Sequence, residues 1–206
     1  QALQVGIGVL VGLAGSVIAL TGLIGGLVFS TAAESAELVD MAAKTGISTT
    51  RLQELAYVGD QVGTSSDTIT GSLARLIRSM SGAQDQYADY SEAQAEAAAN
   101  GEEFDGQLGD KAAAFERLGV RVTDATGNLR DSETVFAELI TALGSVENAS
   151  ERDALAMSIF GKSALELNPL IKAGSDELAR LADEAHEVGA VMSEEDVAAF
   201  EAFDDT

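Results

Sequence analysis

The chain has 206 residues, with 34 Asp and Glu against 12 Lys and Arg, for a formal net charge of -22. Phosphate contacts need clustered cations, so this balance excludes a nonspecific nucleic-acid binder and disfavours adhesion to anionic membrane surfaces. Cys and Trp are absent and there is one Pro; thiol chemistry and a disulfide framework are excluded, the redox compartment stays open, and a core of Ala, Leu, Val and Ile points to a mainly α fold.

Gln1 is not an initiator, and Thr206 falls inside a helical pattern, so the sequence is expected to be internal to a longer chain. Residues 1–33 carry no charge; the first is Glu34. As a helix this glycine-rich segment is long enough to span a bilayer. No cation precedes it, so it does not read as a signal peptide and gives no orientation cue.

Its small residues are spaced. Gly8, Gly12, Gly15, Ala19, Gly22 and Gly26 follow alternating steps of four and three, a heptad seam on one helix face. Gly8–Gly12 and Gly22–Gly26 are also GxxxG pairs, which permit close backbone approach. Each interior Gly costs about 1 kcal/mol against Ala in a helix. Close packing or a bilayer must offset that cost. A plain transmembrane anchor and a buried core helix are the bland alternatives; the expectation is a helix that self-associates with other copies.

Residues 34–206 are expected to form an acidic helical domain. Glu34 to Lys44 continues as helix, with Ala36, Val39, Ala42 and Ala43 as its small face and Gly46 as its stop. Thr50-Arg-Leu-Gln53 can form a capping box for a helix with Leu52, Leu55, Ala56 and Val62 inward, ending at Gly63. Ser66 or Asp67 caps the next, with a stripe of Ile69, Leu73, Leu76, Ile77 and Met80. Ser79 to Asp110 then has eight acidic residues and no Lys or Arg. Without a large apolar stripe it is expected to be a mobile acidic stretch, with helix at most over Gln84 to Ala99.

Gly119 to Arg130 is the one strand signal. Val120 and Val122 alternate with polar residues, and Asp124-Ala-Thr-Gly127 supplies a turn, which predicts a β-hairpin near 120–130 packed on helices. Asp131 or Ser132 caps a helix with Val135, Phe136, Leu139, Ile140 and Leu143 inward. Ser150-Glu-Arg-Asp153 starts another through Leu155, Ala156, Ile159 and Phe160. Ser163-Ala-Leu-Glu166 reads as a capping box, with Leu165, Leu167, Leu170 and Ile171 buried and Pro169 tolerated only near a helix start. Ser175 or Asp176 opens the next, with Leu178, Leu181, Ala182, Ala185 and Val188 inward and Gly189 at its end; Ser193 opens the last. The expected core includes Phe115, Leu118, Val120, Leu129, Phe136, Phe160 and Leu170.

Nothing in the residues suggests an enzyme. The only His is His186, which suits a helix C-terminus. Gly161-Lys162-Ser163 imitates the tail of a P-loop, but Ala156 stands where the first Gly should be and a helix precedes it. Glu102-Glu103-Phe-Asp105-Gly106 lacks the alternating ligands of a calcium loop. No catalytic residue, cofactor or metal is expected.

The order of motifs carries a resemblance. KTGIST, then LQELAYVGDQVG, then AAAFERLGVRVTDATGNLRDSETVFAELITALGSV, then ERDALAMSIFGKSALELNPLIKAGSDEL resembles the tail tape measure proteins of long-tailed phages, from about Ala33 to Glu195. The most specific pieces are Phe115 to Arg130, and Phe160-Gly161-Lys162 with Leu167-Asn168-Pro169-Leu170. The lengthened acidic stretch from Ser79 to Asp110 departs from the pattern. The resemblance implies a structural protein of the tail lumen, present in a few copies, that sets tail length and leaves ahead of the DNA. It implies as partners other copies, tail tube and tail tip proteins and, on infection, the host membrane, with no specific nucleic-acid binding. The rival is a cellular single-span membrane protein with an acidic soluble domain. A pore-forming toxin would need a second hydrophobic helix, and a high-salt host would also account for the acid excess.

Overall fold

The computed structural model describes residues 32–197. The seam residues Gly8, Gly12, Gly15, Ala19, Gly22 and Gly26 lie outside them. Seven α-helices are found among the described residues: α1 (Ala32–Thr45), α2 (Thr49–Val62), α3 (Ser66–Asn100), α4 (Asp110–Arg117), α5 (Ser132–Gly144), α6 (Ala149–Phe160) and α7 (Asn168–Glu187). A 3-10 segment, Gly161–Leu167, joins the last two. The domain after the glycine-rich segment is therefore mainly α. No described helix is long and apolar enough to cross a membrane.

Four helix starts, those of α2, α3, α5 and α6, follow side-chain capping, three of them a residue or two earlier than the sequence suggests. Ser48 caps α2 by accepting from the Arg51 N–H, so Thr50 is already helical. Ser65 caps α3, Asn148 caps α6 by accepting from the Ser150 and Glu151 N–H groups, and Asp131 caps α5 as expected. Where Ser, Thr, Asp and Asn follow one another, several can donate the capping oxygen.

The core is aliphatic with a few aromatic rings. Leu38, Leu73, Leu76, Phe115, Leu139, Leu143, Phe160 and Leu170 are fully buried. Phe136 and Phe160 meet edge to face with centroids 6.0 Å apart, a favoured aromatic geometry. In α1 the deep residue is Leu38; Ala43, assigned to the small face, is exposed. Gly59 lets α2 and α3 come together: a Cβ there would lie 2.5 Å from both Ile69 Cδ1 and the Thr64 carbonyl oxygen.

Three expectations are corrected or refined. The first is the hairpin. Among the described residues there is no strand, only an isolated antiparallel bridge between Thr123 and Leu129. The Val120 N–H donates to the Phe115 carbonyl as part of the end of α4, and Asp131 already caps α5. The helices on either side consume the backbone a second strand pair would need. Leu129, expected inside, is 40% exposed, and Leu118 is only partly buried.

The second is the acidic stretch, where the helix named over Gln84 to Ala99 is present, continuous with the element before it and running as far as Asn100. Between Gly82 and Gly101 the sequence has no Gly or Pro and is rich in Ala, Gln and Glu, all strong helix formers. The C-cap is Gly101, whose N–H bonds the last carbonyls. At 35 residues, α3 is about 50 Å long.

The third is the segment after α6. No capping box forms at Ser163; the chain runs as 3-10 helix from Gly161 to Leu167, and α7 starts at Asn168 with Pro169 in its first turn. A threefold repeat does not present the same face as a 3.6-fold one. Ala164 and Leu167 therefore go inside, while Leu165 is 46% exposed. Val188, also expected inside, lies at the C-cap of α7 and is exposed. A break in α7 is present: Gly174 has φ 79° and ψ 163°.

Candidate functional site

The two pieces that carry the resemblance are both built around fully buried phenylalanines. In the first, α4 buries Phe115, the chain turns at Leu118 and Gly119, and Val120 and Val122 go into the core. Asp124 organises the turn that follows. Its Oδ1 accepts from the Thr126 N–H at 2.8 Å, the Thr126 hydroxyl at 2.7 Å and the Asn128 N–H at 3.0 Å. These bonds, led by the Thr126 hydroxyl, hold its carboxyl below the usual range. That carboxylate is committed to local structure.

Arg130 closes the element. Its guanidinium donates to both oxygens of Glu138 on α5, at 2.6 and 2.9 Å, and to the Arg121 carbonyl at 2.8 Å. The hydrogen bond from Arg130 lowers the Glu138 pKa, and the same bond raises that of Arg130. Two shallow grooves flank it. One, about 570 Å³, runs between residues 118–121 and the outer face of α5 at Ala137 and Thr141. The other, about 280 Å³ and mostly apolar, lies between Gly46, Met80 and the exposed Leu129.

The second piece turns at Gly161 and threads between α3 and α7. Ser79 of α3 donates to the Ile159 carbonyl at 2.6 Å, Arg75 donates to the Ser163 hydroxyl, and Thr68 donates to Glu166 at 2.9 Å. Gly161-Lys162-Ser163 is thus tied to α3 through its serine and is not a loop leading out of a strand.

His186 stands in the last turn of α7, its Nε2 2.7 Å from Glu54 on α2. Glu54 also accepts from Arg51 at 2.7 Å, and Arg51 Nε lies 3.4 Å from Glu133 on α5. Burial raises the Glu133 pKa despite that cation. Tyr57 donates to Glu184 at 3.4 Å, with its own pKa raised first by burial and then by Glu184. The arrangement is a chain of polar contacts across three helices. Among the described residues no three His, Asp or Glu side chains are grouped to hold a metal ion.

Two glutamines take roles that sequence reasoning did not give them: Gln53 was placed in a capping box, and Gln86 was given no role. Gln53, buried in α2, pairs its amide with the backbone of Met192: Nε2 donates to the carbonyl at 3.2 Å and Oε1 accepts the N–H at 2.8 Å. Gln86 of α3 accepts from the Ala112 N–H at 3.0 Å and serves α4, whose N-cap Gly109 has no side chain to do so. The only signal was a polar residue on an inward helical face. The six seam residues lie outside the described residues. Comparison with known protein families, with curated proteins and with solved structures finds no match.

Proposed function

We propose that this chain belongs to a phage tail tape measure protein, a structural protein of the tail lumen that sets tail length and is released during genome delivery. The observation that carries the reading is the order of sequence motifs from KTGIST to NPLIKAGSDEL. Three physical features support it. The segments most specific to the resemblance supply Phe115, Phe160, Leu167 and Leu170 to the core, so they are tied to a fold and not to a catalytic surface. The 34 acids against 12 cations give a wall that does not hold DNA by charge. The small-residue seam suits parallel copies packed in a narrow tube, and its uncharged, bilayer-length run suits later entry into the host membrane.

In this reading the protein is not an enzyme and needs no cofactor. Its partners are other copies, the tail tube and tail tip proteins and, transiently, the host membrane. The test is mass spectrometry of purified particles together with in-frame deletions in the gene. The expected result is the protein inside the tail and tails that shorten with each deletion. Recovery in the cell membrane fraction, with none in particles, would overturn the reading in favour of a single-span membrane protein.

A further inference from the structure

We propose that one open face of α3 pairs antiparallel with the same face of a second copy of this chain, the cations of each helix against the acids of the other. The inference concerns a surface distinct from the glycine seam, and it does not rest on the phage reading.

The face is segregated by charge. Arg75, Arg78, Gly82, Asp85, Asp89 and Glu92 follow alternating steps of three and four, so they line one side of the helix. Gly82 brings no side chain, and Lys111 of α4 lies across it. A Cβ there would be 2.8 Å from Lys111 Nζ and 3.1 Å from its Cδ. Every position thus carries a charge, cations first and then acids. Arg78, Asp85, Asp89 and Glu92 are exposed, while Arg75 is half-buried and donates to the Ser163 hydroxyl. Among the described residues none of these charged groups makes an ion pair. With 34 acids against 12 cations, carboxylates are not in short supply. Neighbouring cations left without one present a cationic face to an acidic partner.

The chain holds the matching acids itself. The steps three, four, three, four, three read the same from either end. A second α3 laid antiparallel, with the two-fold axis between Gly82 and Asp85, sets Arg75 against Glu92, Arg78 against Asp89 and Lys111 against Asp85, each twice. No like charges meet. A parallel pair in register sets cation on cation and acid on acid, so charge alone selects the direction. Asp85 and Asp89, like charges four residues apart, oppose the helix in isolation, and a partner's cations relieve that repulsion. The face runs about 25 Å and has no apolar residue in register, so its exposed pairs make a weak, orienting contact. Helices lying across a two-fold axis are antiparallel by symmetry, so this contact and a parallel seam can share one axis.

The chain has no Cys, so single-cysteine copies report the pairing cleanly. Ser81 and Ala88 are exposed beside the face. Full-length copies carrying Ser81→Cys are mixed in equal amounts with copies carrying Ala88→Cys and oxidised. Antiparallel pairing brings position 81 of one helix beside position 88 of the other and keeps like positions about 10 Å apart along the axis. The expected result is a mixed disulfide well above its statistical share; association through the seam alone leaves it at that share or below. Arg78→Glu on both copies should lower the mixed yield about tenfold, and Asp89→Arg on both should do the same. With Arg78→Glu on one copy and Asp89→Arg on the other, each cation again faces an acid and the yield should return. Both side chains are exposed, and helical circular dichroism checks that each variant keeps its fold. A mixed disulfide at its statistical share in the copies with native charges would overturn the proposal, whatever the variants do. So would folded variants whose paired reversal fails to restore the yield.

Discussion

Between Ser66 and Ala83, α3 sets Ile69, Leu73, Leu76 and Met80 into the core, with Ser72, Ser79 and Ala83 where neighbours come close. Between Ser91 and Asn100 the same helix has no buried residue, and only Ala97 is even half-buried. From Gln84 to Tyr90 the helix is still gripped: Gln84 donates to the Gly127 carbonyl, Gln86 accepts from Ala112, and Tyr87 donates to the Ala112 carbonyl. Beyond it, the aromatic contact is Tyr90 with Phe104 of the returning loop, centroids 5.0 Å apart. One continuous helix is thus held by two different means. Burial holds its first half. Intrinsic propensity and a glycine cap hold its far end.

The largest expected effect follows from the first half. Phe160→Ala, against which α3 packs, is expected to cost about 3–5 kcal/mol, and Leu76→Ala about 2–5 kcal/mol. Chemical denaturation of the folded chain measures both. A loss under about 1 kcal/mol at either site would mean that burial is not what holds this half together.

In the far half the opposite is expected. Ala95→Pro should break the helix locally, at about 3 kcal/mol for the affected turn. The global unfolding midpoint should stay nearly fixed, because nothing in the core rests on that turn. Hydrogen exchange would show lost protection confined to residues 91–100. A cooperative loss across α2 and α5 would show that the arm is a part of the core's folding unit.

This contrast also explains what the sequence made legible. The packed half was plain because a 3.6-residue stripe is a direct imprint of burial; the inward faces of α5 and the first half of α3 could be read from Val135 to Leu143 and Ile69 to Met80. In the arm, helix over Gln84 to Ala99 was legible from composition, but its continuity with the packed half was not, because a helix without an apolar face leaves no periodic mark. Only the absence of Gly and Pro distinguishes it from a loop. The turn at 120–130 showed alternation, yet alternation over three residues also describes an extended connector between two helices. Leu165 failed because its segment is a 3-10 turn, where counting by 3.6 assigns the wrong face. Contacts between residues far apart in sequence, such as Gln53 with Met192 and Gln86 with Ala112, have no one-dimensional signature.

Gln86 marks the boundary between the two halves and sharpens it. Its carbonyl oxygen stands in for the missing cap of α4, so Gln86→Ala is expected to cost about 1 kcal/mol through an unpaired N–H at Ala112. Gln86→Glu keeps an acceptor and should recover most of that loss. Equal losses from both would assign the effect to packing against Gly109.

The smallest effect is electrostatic. Glu138 is held below its ordinary pKa, chiefly by the hydrogen bond from Arg130. Its stabilising contribution is therefore complete above the unfolded carboxyl value, about 4.3, and is lost as pH falls through the lower folded value. Because the pair is partly exposed, with Glu138 at 41% and Arg130 at 22%, the loss should stay below about 1 kcal/mol. Glu138→Gln should remove this part of the acid sensitivity. Along α3, Asp85 with Asp89 and Glu92 with Glu96 are like charges four residues apart on one helix, and each such pair destabilises a helix by about 0.2–0.5 kcal/mol. Hydrogen exchange at pH 6 and below pH 4, corrected for intrinsic rates, should show protection falling around Arg130 and α5 while it holds over residues 91–100. Parallel loss in both regions would mean that acid unfolds the domain as a whole, and that the arm is not stabilised independently of the core.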